Sequence, residues 1–323
     1  MRITSCAVLL AFGCVSTAVA AADAAVDFPS RPLRFIVPFT PGTGMDNIAR
    51  LVGEKLFESW KQPVIVENKT GLAGHLGAEQ VARSAPDGYT LVVTASNLVI
   101  TSILYPSPTF NPMKDLTPVM IAARGTNSLA VNPGKGYRTM ADLVAAAKAN
   151  PGKINFASAG VGSPSHILLA EFEDATHTSF LHVPYKGTAP GVNDVIAGHV
   201  DAMFVATHTL RPFVESGQLR NLGVSSPERQ RSAPGVPSFA ELGITPGMPA
   251  WYGFLAPKGT PAAVIDKLNK EMTRILELPD VKSALEKTGL DVKPSSPRAL
   301  QELMDMQLAR FTQIIRKNNI TAN

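Results

Sequence analysis

The chain has 323 residues, of which 45% are hydrophobic and 17% charged, and its formal net charge is +4. This length and composition are typical of a globular protein with room for two domains of ordinary size. The charge is modest, and no block of Lys and Arg interleaved with aromatic residues occurs, so nucleic acid is not expected as a partner. A mildly positive surface favours small anionic ligands instead.

The N-terminal segment has the pattern of an export signal. A short basic region precedes an apolar stretch over residues 7–15, which is too short to span a membrane, and Ala18-Val19-Ala20 is an A-x-A cleavage site. We expect residues 1–20 to be a signal peptide, cleaved between positions 20 and 25, and the mature protein to be periplasmic. Both cysteines, Cys6 and Cys14, lie inside this leader, so neither disulfide nor thiol chemistry is predicted for the mature chain.

Apolar periodicity then alternates between strand and helix. Strands are predicted at residues 33–37, 63–67, 89–94, 129–131, 154–157, 180–183, 200–206, 219–224 and 251–256. Helical patterns separate most of them, and three helices close the chain, starting near Thr260-Pro261, Val281 and Ser296-Pro297. Strands that alternate with helices imply βαβ units, so the pattern predicts an α/β fold with mainly parallel sheets.

Two breaks in composition divide this pattern. One lies near residues 122–126, and the other is the Pro-rich stretch 232–249. We interpret both as crossings between two lobes, with lobe 1 formed by 26–124 plus 250–323 and lobe 2 by 125–249. Two crossing segments make a hinge, so the lobes are expected to close around a ligand.

Two loops combine features that favour a small anion. Each follows a predicted strand, contains small residues and opens a helix; they read Phe39-Thr40-Pro41-Gly42-Thr43-Gly44-Met45-Asp46 and Ala157-Ser158-Ala159-Gly160-Val161-Gly162-Ser163-Pro164. Such turns leave backbone N–H groups aimed at one point, with the positive end of a helix dipole behind them. Placed on two lobes, they would grip one ligand from both sides. The simpler alternative is that each loop is only a tight turn with a helix cap.

Short motifs occur in a fixed order along the mature chain. They include Arg31-Pro32-Leu33, Gln62-Pro63-Val64, Ala85-Pro86-Asp87-Gly88-Tyr89, Ala157-Ser158-Ala159-Gly160, His182-Val183-Pro184-Tyr185-Lys186-Gly187 and Trp251-Tyr252-Gly253. The ordered set resembles the solute-binding proteins of tripartite tricarboxylate transporters, the Bug or TctC-like family. The resemblance implies a periplasmic binding protein-like (Venus flytrap) fold. It also implies a small carboxylate held in the cleft largely by backbone amides, hydroxyls and water, and delivery of that carboxylate to a membrane permease.

The candidates for ligand contact come from both lobes. They are Phe39, Gly42, Thr43, Gly44, Asp46 and Asn97 in lobe 1, and Ser158, Gly162, Ser163, His166 and Thr207 in lobe 2. Four or five donors at roughly 1.5–3 kcal/mol each are enough for micromolar binding, about −8 kcal/mol, without a lysine or arginine in the cleft. Asp46 would repel an anion unless water intervenes. His166 fits a structural role at least as well as a ligand contact. Asn97, placed in a loop, and Thr207, at a strand end, are candidates for orienting the ligand.

Two positions depart from the family pattern. Thr43 stands where the family has the second glycine of a P-G-G loop, which adds a hydroxyl and a Cβ close to the ligand. Val205-Ala206-Thr207 stands where an acidic residue is common, so a ligand ammonium would lack a partner. The sequence therefore favours plain mono-, di- or tricarboxylates over amino acids.

Other functions are less well supported. Ser163 and His166 would suit a serine hydrolase, but the loop is not G-x-S-x-G. The stretch 71–77 reads G-x-x-G-x-x-G and lacks the G-x-G start of a nucleotide site. The six histidines are scattered, so neither metal nor cofactor is predicted. We expect a monomeric, non-enzymatic binding protein; a ligand-sensing receptor for a signalling partner is the open alternative.

Overall fold

The computed structural model describes residues 27–230, 233–245 and 247–321. The predicted signal peptide and its cleavage region lie outside these residues. Within them, no helix combines the length and the apolar character needed to cross a membrane.

The described residues form eleven strands and eleven α-helices. The strands are β1 (Leu33–Val37), β2 (Val64–Asn68), β3 (Thr90–Ala95), β4 (Leu116–Gly125), β5 (Asn127–Val131), β6 (Asn155–Ser158), β7 (Leu181–Pro184), β8 (Ala202–Ala206), β9 (Arg220–Val224), β10 (Ala250–Pro257) and β11 (Asp291–Val292). The helices are α1 (Gly44–Trp60), α2 (His75–Ala82), α3 (Asn97–Leu104), α4 (Pro112–Asp115), α5 (Met140–Ala149), α6 (Pro164–Thr176), α7 (Thr188–Ala197), α8 (Thr207–Glu215), α9 (Ala262–Leu276), α10 (Pro279–Lys287) and α11 (Pro297–Lys317).

These strands form two sheets, one in each lobe. The first has the order β11-β4-β10-β3-β1-β2 and the second the order β7-β6-β8-β5-β9. The predicted two-lobed α/β fold is confirmed. The expectation of mainly parallel sheets is wrong in detail, because β10 and β4 run antiparallel to their neighbours in the first sheet and β5 does so in the second. The antiparallel strands are those next to the crossings, where the chain enters each sheet from the other lobe.

Helices cover both faces of the first sheet. On one face, α1 and α9 pack against alternate strand residues such as Phe35, and on the other α2, α3 and α11 pack against residues such as Ile36. Both of these strand residues are fully buried. A strand buried on both faces reads as a continuous apolar run, which is the pattern of Phe35-Ile36-Val37 in β1, after the exposed Arg34.

The second sheet is enclosed in the same way. A cluster of aromatic side chains lies on the face covered by α5 and α6, comprising Phe156, Phe172, Phe180, Phe204 and Phe239. The opposite face packs small and aliphatic residues against α7 and α8. Each sheet therefore has its own core, and Ile167 and Ala170 of α6 in the second lobe also pack into the core of the first.

Several helix starts follow the predicted capping chemistry. Thr43 is the N-cap of α1, and Thr139 forms a full capping box with Asp142 at the start of α5. Ser163 and Ser296 cap α6 and α11, and each precedes a proline in the first turn.

The two crossings lie side by side. β4 ends at Gly125 and β5 begins at Asn127, while Ala250, the first residue of β10, pairs with Gly125. A pair of adjacent antiparallel segments makes a compact hinge. The lobe boundaries proposed from the sequence stay a prediction.

Helix α11 supports this hinge through Gln307. The Gln307 side chain is fully buried; its Oε1 accepts from Trp251 Nε1 at 2.9 Å, and its Nε2 donates to the Pro249 carbonyl at 2.8 Å. Gln307 thus bonds the Trp251 indole N–H and the Pro249 carbonyl, two polar groups at the second crossing that would otherwise be buried without partners.

We expect Gln307→Leu to destabilise the fold by about 1–3 kcal/mol, because the buried indole N–H of Trp251 loses its acceptor. Urea unfolding measures this change. Gln301→Leu is the control on the same helix, since Gln301 bonds only the exposed Asp305, and it should change stability by less than about 0.5 kcal/mol. Equal losses in the two variants would contradict the supporting role of Gln307.

Candidate functional site

A cleft of about 490 Å³ lies between the two sheets and is lined by both lobes. Of the described residues that line it, none is an Asp, Glu, Lys, Arg or His. Its polar lining is made of hydroxyl and amide side chains, namely Ser96, Asn97, Thr101, Tyr105, Asn127, Ser163, Ser165, Thr188 and Tyr252. A ligand charge in this cleft would therefore meet dipoles rather than a countercharge.

The positive dipoles come from helix starts. Residues at or beside the first turn of five helices line the cleft: Met45 of α1, Asn97 of α3, Pro164 of α6, Thr188 of α7 and Ala206, the N-cap of α8. The first N–H groups of a helix have no acceptor within the helix, and the dipole places partial positive charge there. The carboxyl edges of both sheets thus face one another as an anion-binding surface.

The first predicted loop is organised by Asp46. Asp46 is 2% exposed, and its carboxylate accepts from the Gly42 N–H at 2.9 Å, from Arg50 Nε at 3.0 Å and from Asn68 Nδ2 at 3.0 Å. Burial opposes ionisation, but the hydrogen bonds from Arg50, Gly42 and Asn68 outweigh it and lower the pKa of Asp46. Asp46 therefore fixes the conformation of the loop. One of the groups that it bonds is the Gly42 N–H, which the sequence analysis assigned to the ligand.

Only Phe39 and Met45 of this loop line the cleft. Thr43 caps α1, with its hydroxyl facing the Asp46 N–H at 3.5 Å and donating to the Thr40 carbonyl at 3.1 Å. A Cβ on Gly44 would lie 3.3 Å from the ring of Tyr252. Gly42, Thr43, Gly44 and Asp46 are not among the residues that line the cleft, and their contact with a ligand stays a prediction.

The second loop repeats this arrangement with histidine in place of aspartate. The Gly162 N–H donates to Nδ1 of His166 at 3.1 Å, four residues on, as the Gly42 N–H does to Asp46. The His166 ring stacks on His182 with centroids 3.8 Å apart, and His182 Nε2 lies 2.6 Å from the Ser158 hydroxyl. Burial, with a smaller effect of the His182 charge, lowers the pKa of His166 from 6.5 to about 4, and burial also lowers the pKa of His182.

Ser163 and Gly162 are the predicted residues of this loop that line the cleft, whereas Ser158 and His166 lie behind them. Ser158 is fully buried and accepts from the Gly160 N–H at 3.1 Å. His166 fixes the loop through the bond from the Gly162 N–H, and both its structural role and its contact with a ligand stay predictions.

The two remaining candidates differ. Asn97 lines the cleft, but it opens α3 instead of lying in a loop, and its Nδ2 donates to the Ala73 carbonyl at 2.8 Å. Thr207 is 4% exposed and lies outside the lining; its hydroxyl donates to the Thr126 carbonyl at 2.9 Å and lies 3.0 Å from the Ser128 hydroxyl. Thr207 ties α8 to the crossing segment.

Several lining residues were missed from the sequence. Tyr252 lies within the Trp251-Tyr252-Gly253 motif, which was a signal for it, and burial raises the pKa of its hydroxyl. Asn127 and Thr188 enter the cleft at the start of a strand and a helix that carried no binding motif. Among the residues described here, no group of three His, Cys, Asp or Glu side chains is placed to hold a metal ion.

Comparison with known proteins identifies the family. A family model described as the tripartite tricarboxylate transporter family receptor matches residues 48–320. The chain belongs to this receptor family. Protein BugT of Bordetella pertussis is 33% identical over 307 residues, covering 94% of each chain. The resemblance found in the sequence motifs is thereby confirmed.

Solved structures of similar proteins share the receptor's fold. An R. palustris protein solved with adipate is 29% identical, with a TM-score of 0.80, and the match covers 91% of the receptor and 99% of that chain. MatC from Rhodopseudomonas palustris, solved with bound malate, is 29% identical, with a TM-score of 0.76, and the match covers 89% and 100%.

The histidine pair predicts loss of stability in acid. Because folding lowers the pKa of His166 below its unfolded value, the unfolded chain takes up the proton first, and stability falls as pH drops from about 6.5 toward 4. We expect a loss on the order of 1–2 kcal/mol from this ring after allowance for its partial exposure, measured by urea unfolding at several pH values. His166→Asn should flatten this dependence, whereas His177→Asn, at an exposed site, should leave it unchanged. The same slope in all three proteins would contradict the assignment.

Proposed function

We propose that this receptor is a periplasmic solute-binding protein that captures a small carboxylate between its lobes and delivers it to the permease of a tripartite tricarboxylate transporter. The observation that carries the proposal is the cleft bounded by five helix N-termini, with no charged side chain among its described lining residues. Such a surface binds an anion through backbone dipoles.

The magnitudes support reversible capture. A helix N-terminus in a partly buried site contributes up to about 2 kcal/mol toward an anion, and each hydrogen bond to a charged group contributes about 1.5–3 kcal/mol. Set against the cost of association, a few of these interactions give affinities in the micromolar range. A transport receptor needs that range, because it must also release its ligand.

The chemistry of the lining supports a carboxylate with an apolar body. Phe39, Met45 and Phe204 provide apolar surface, while Ser163 and Tyr252 provide hydroxyls. Similar proteins have been solved with adipate and with malate, and both compounds combine carboxylates with a short carbon chain. The part of the cleft that the structure describes has no acidic side chain to pair with an ammonium group, which favours plain carboxylates over amino acids.

Ser163 is the best-placed side-chain donor of the second lobe. Its hydroxyl lies 3.0 Å from that of Ser165, which in turn accepts from the Ala159 N–H at 3.0 Å. Ser165 can donate its own proton to Ser163, so that the Ser163 proton is free for a ligand.

The same contacts argue against hydrolysis. A serine nucleophile needs a base within hydrogen-bond reach. His166 instead uses Nδ1 to accept from Gly162 and stacks its ring on His182, while the Ser163 hydroxyl faces Ser165 and the His166 backbone N–H. This arrangement supports binding without catalysis.

A thermal-shift screen with succinate, malate, adipate, citrate and benzoate tests the function. At least one acid should raise the melting temperature, because a ligand that binds only the folded state stabilises it by RT ln(1 + [L]/Kd). Protein refolded from urea, which removes any ligand carried through purification, is the sample to use. No shift with a broad carboxylate panel would sink the proposal.

Ser163→Ala tests the assigned donor, with Ser296→Ala as a matched control. Both serines are N-caps followed by proline, with φ/ψ of −69°/159° and −68°/158°, so both variants should lose about 1 kcal/mol of stability. Only Ser163→Ala should also weaken carboxylate binding, roughly tenfold or more, as measured by calorimetry. Equal carboxylate affinity in the two variants would show that the Ser163 hydroxyl does not contribute to binding.

A further inference from the structure

The two lobes also meet outside the ligand cleft, at Gly289. This residue lies in the turn between α10 and β11 of the first lobe, opposite His208 in the first turn of α8 in the second. A Cβ on Gly289 would stand 2.3 Å from the Cβ of His208 and 2.9 Å from its Cα. Carbon atoms pack at about 3.5–4.0 Å, so no side chain fits between the lobes in this arrangement.

The turn that carries Gly289 is held in place. Gly289 ends α10 with a φ of +82°, its N–H donates to the Glu286 carbonyl at 2.8 Å, and the Leu290 N–H donates to the Leu285 carbonyl at 3.3 Å. This is a left-handed helix cap. Leu290 is 2% exposed and belongs to the core of the first lobe. Moving the turn aside would break the cap and expose Leu290.

The opposing helix start is also anchored. Thr207 precedes His208, and both its N–H and its hydroxyl donate to the Thr126 carbonyl, each at 2.9 Å. The contact is therefore between two fixed backbones. A side chain at position 289 would therefore displace the second lobe as a whole. It would not simply move one loop aside.

A groove of about 560 Å³ adjoins the contact between Gly289 and His208, with walls from both lobes that are mostly charged, among them Arg211 and Arg229 of the second lobe and Lys282 and Lys287 of the first. Desolvating such side chains is costly, so the lobes do not pack broadly there. In this arrangement Gly289 is therefore a close backbone contact between the lobes on this side.

A second close approach is softer. A Cβ on Gly162 would lie 2.1 Å from Cδ1 of Leu104, across the cleft. That atom is the end of a flexible side chain, which can rotate away, whereas the His208 backbone cannot. Gly289 is the more rigid limit of the two.

We infer that Gly289 is a positioning residue for ligand capture: its missing side chain sets how far the lobes close and how tightly the cleft surrounds the carboxylate. His208 follows the cleft-lining Ala206 by two residues, so displacing α8 displaces the cleft wall. The inference rests on the proposed function, because it concerns the affinity of the same cleft.

Gly289→Ala is the test, with Gly136→Ala as the matched control. Gly136 has a φ of +85° and no atom within 4 Å of an added Cβ. Both variants carry the same backbone strain, but only Gly289→Ala introduces a contact between the lobes.

The first measurement reports how far the closed arrangement of the lobes is populated when no ligand is present. Cysteines at Arg211→Cys and Lys293→Cys, on opposite walls of the groove, are joined by a short bis-maleimide, and the crosslinked peptide is quantified by mass spectrometry. We expect crosslinking to be at least about threefold slower with Gly289→Ala than with Gly136→Ala, since the closed form is less populated.

The second measurement is the Kd for succinate, malate, adipate and citrate by calorimetry. The Kd of whichever acid binds should rise about tenfold in Gly289→Ala if the closed fraction falls to about a tenth. Adding His208→Gly removes the Cβ at 2.3 Å but leaves the Cα at 2.9 Å, so it should restore part of both the Kd and the crosslinking rate. A defect of folding alone would not be rescued in this way.

The outcomes separate the two claims. Unchanged crosslinking, or slower crosslinking with an unchanged Kd, overturns the inference. Slower crosslinking in a protein that binds none of the four acids supports the stop at Gly289 and counts against the proposed function. If Gly289→Ala does not fold, folding of the double variant supports the contact, and failure of both overturns it.

Discussion

The cleft of this protein depends on the geometry of the turns that connect strands to helices. In each lobe, strands deliver the chain to the sheet edge that faces the other lobe, and helices begin there. Five helix N-termini consequently meet in one cleft. Their partial positive charges need neither lysine nor arginine, and the cleft contains none among its described lining residues. In the proposed function, an anion is held by the direction of the backbone rather than by a set of side chains.

The two loops at the centre of this surface share one construction. In each, a glycine N–H donates to a side chain four residues later, Asp46 in the first lobe and His166 in the second. A hydroxyl residue between them, Thr43 or Ser163, caps the helix. The loops are therefore pre-shaped by their own side chains. A pre-shaped loop loses less entropy when a ligand binds. The same hydrogen bonds, however, occupy the N–H groups of Gly42 and Gly162, which the sequence analysis assigned to the ligand.

Much of the fold could be predicted because its signals are local. The apolar run of β1 gives its bounds directly, and Ser296-Pro297 marks the start of α11. The strand β4 was missed since residues 116–125 contain Pro118 and end in small residues, and only pairing with β10 makes them a strand. Asn97 was placed in a loop because the apolar residues after it do not show where β3 ends and α3 begins.

The site was predictable as a region and less so residue by residue. Thr207 looked free to meet a ligand, but its partner Thr126 is 81 residues away in the sequence. Tyr252 enters the cleft between Gly44 and Gly125, and that neighbourhood exists only after β4, β10 and α1, which are distant in the sequence, have come together in the first lobe. Contacts between distant segments decide such roles, and single-sequence patterns do not contain them.

A cleft that holds charge with main-chain dipoles has an evolutionary consequence. Mutations change side chains and leave the peptide groups in place, so the attraction for a carboxylate survives substitution at almost any lining position. Under the proposed function, altering Phe39, Phe204 or Thr188 would change the shape of the cleft and leave these dipoles in place. One scaffold of this kind could then serve different organic acids through changes in side chains alone.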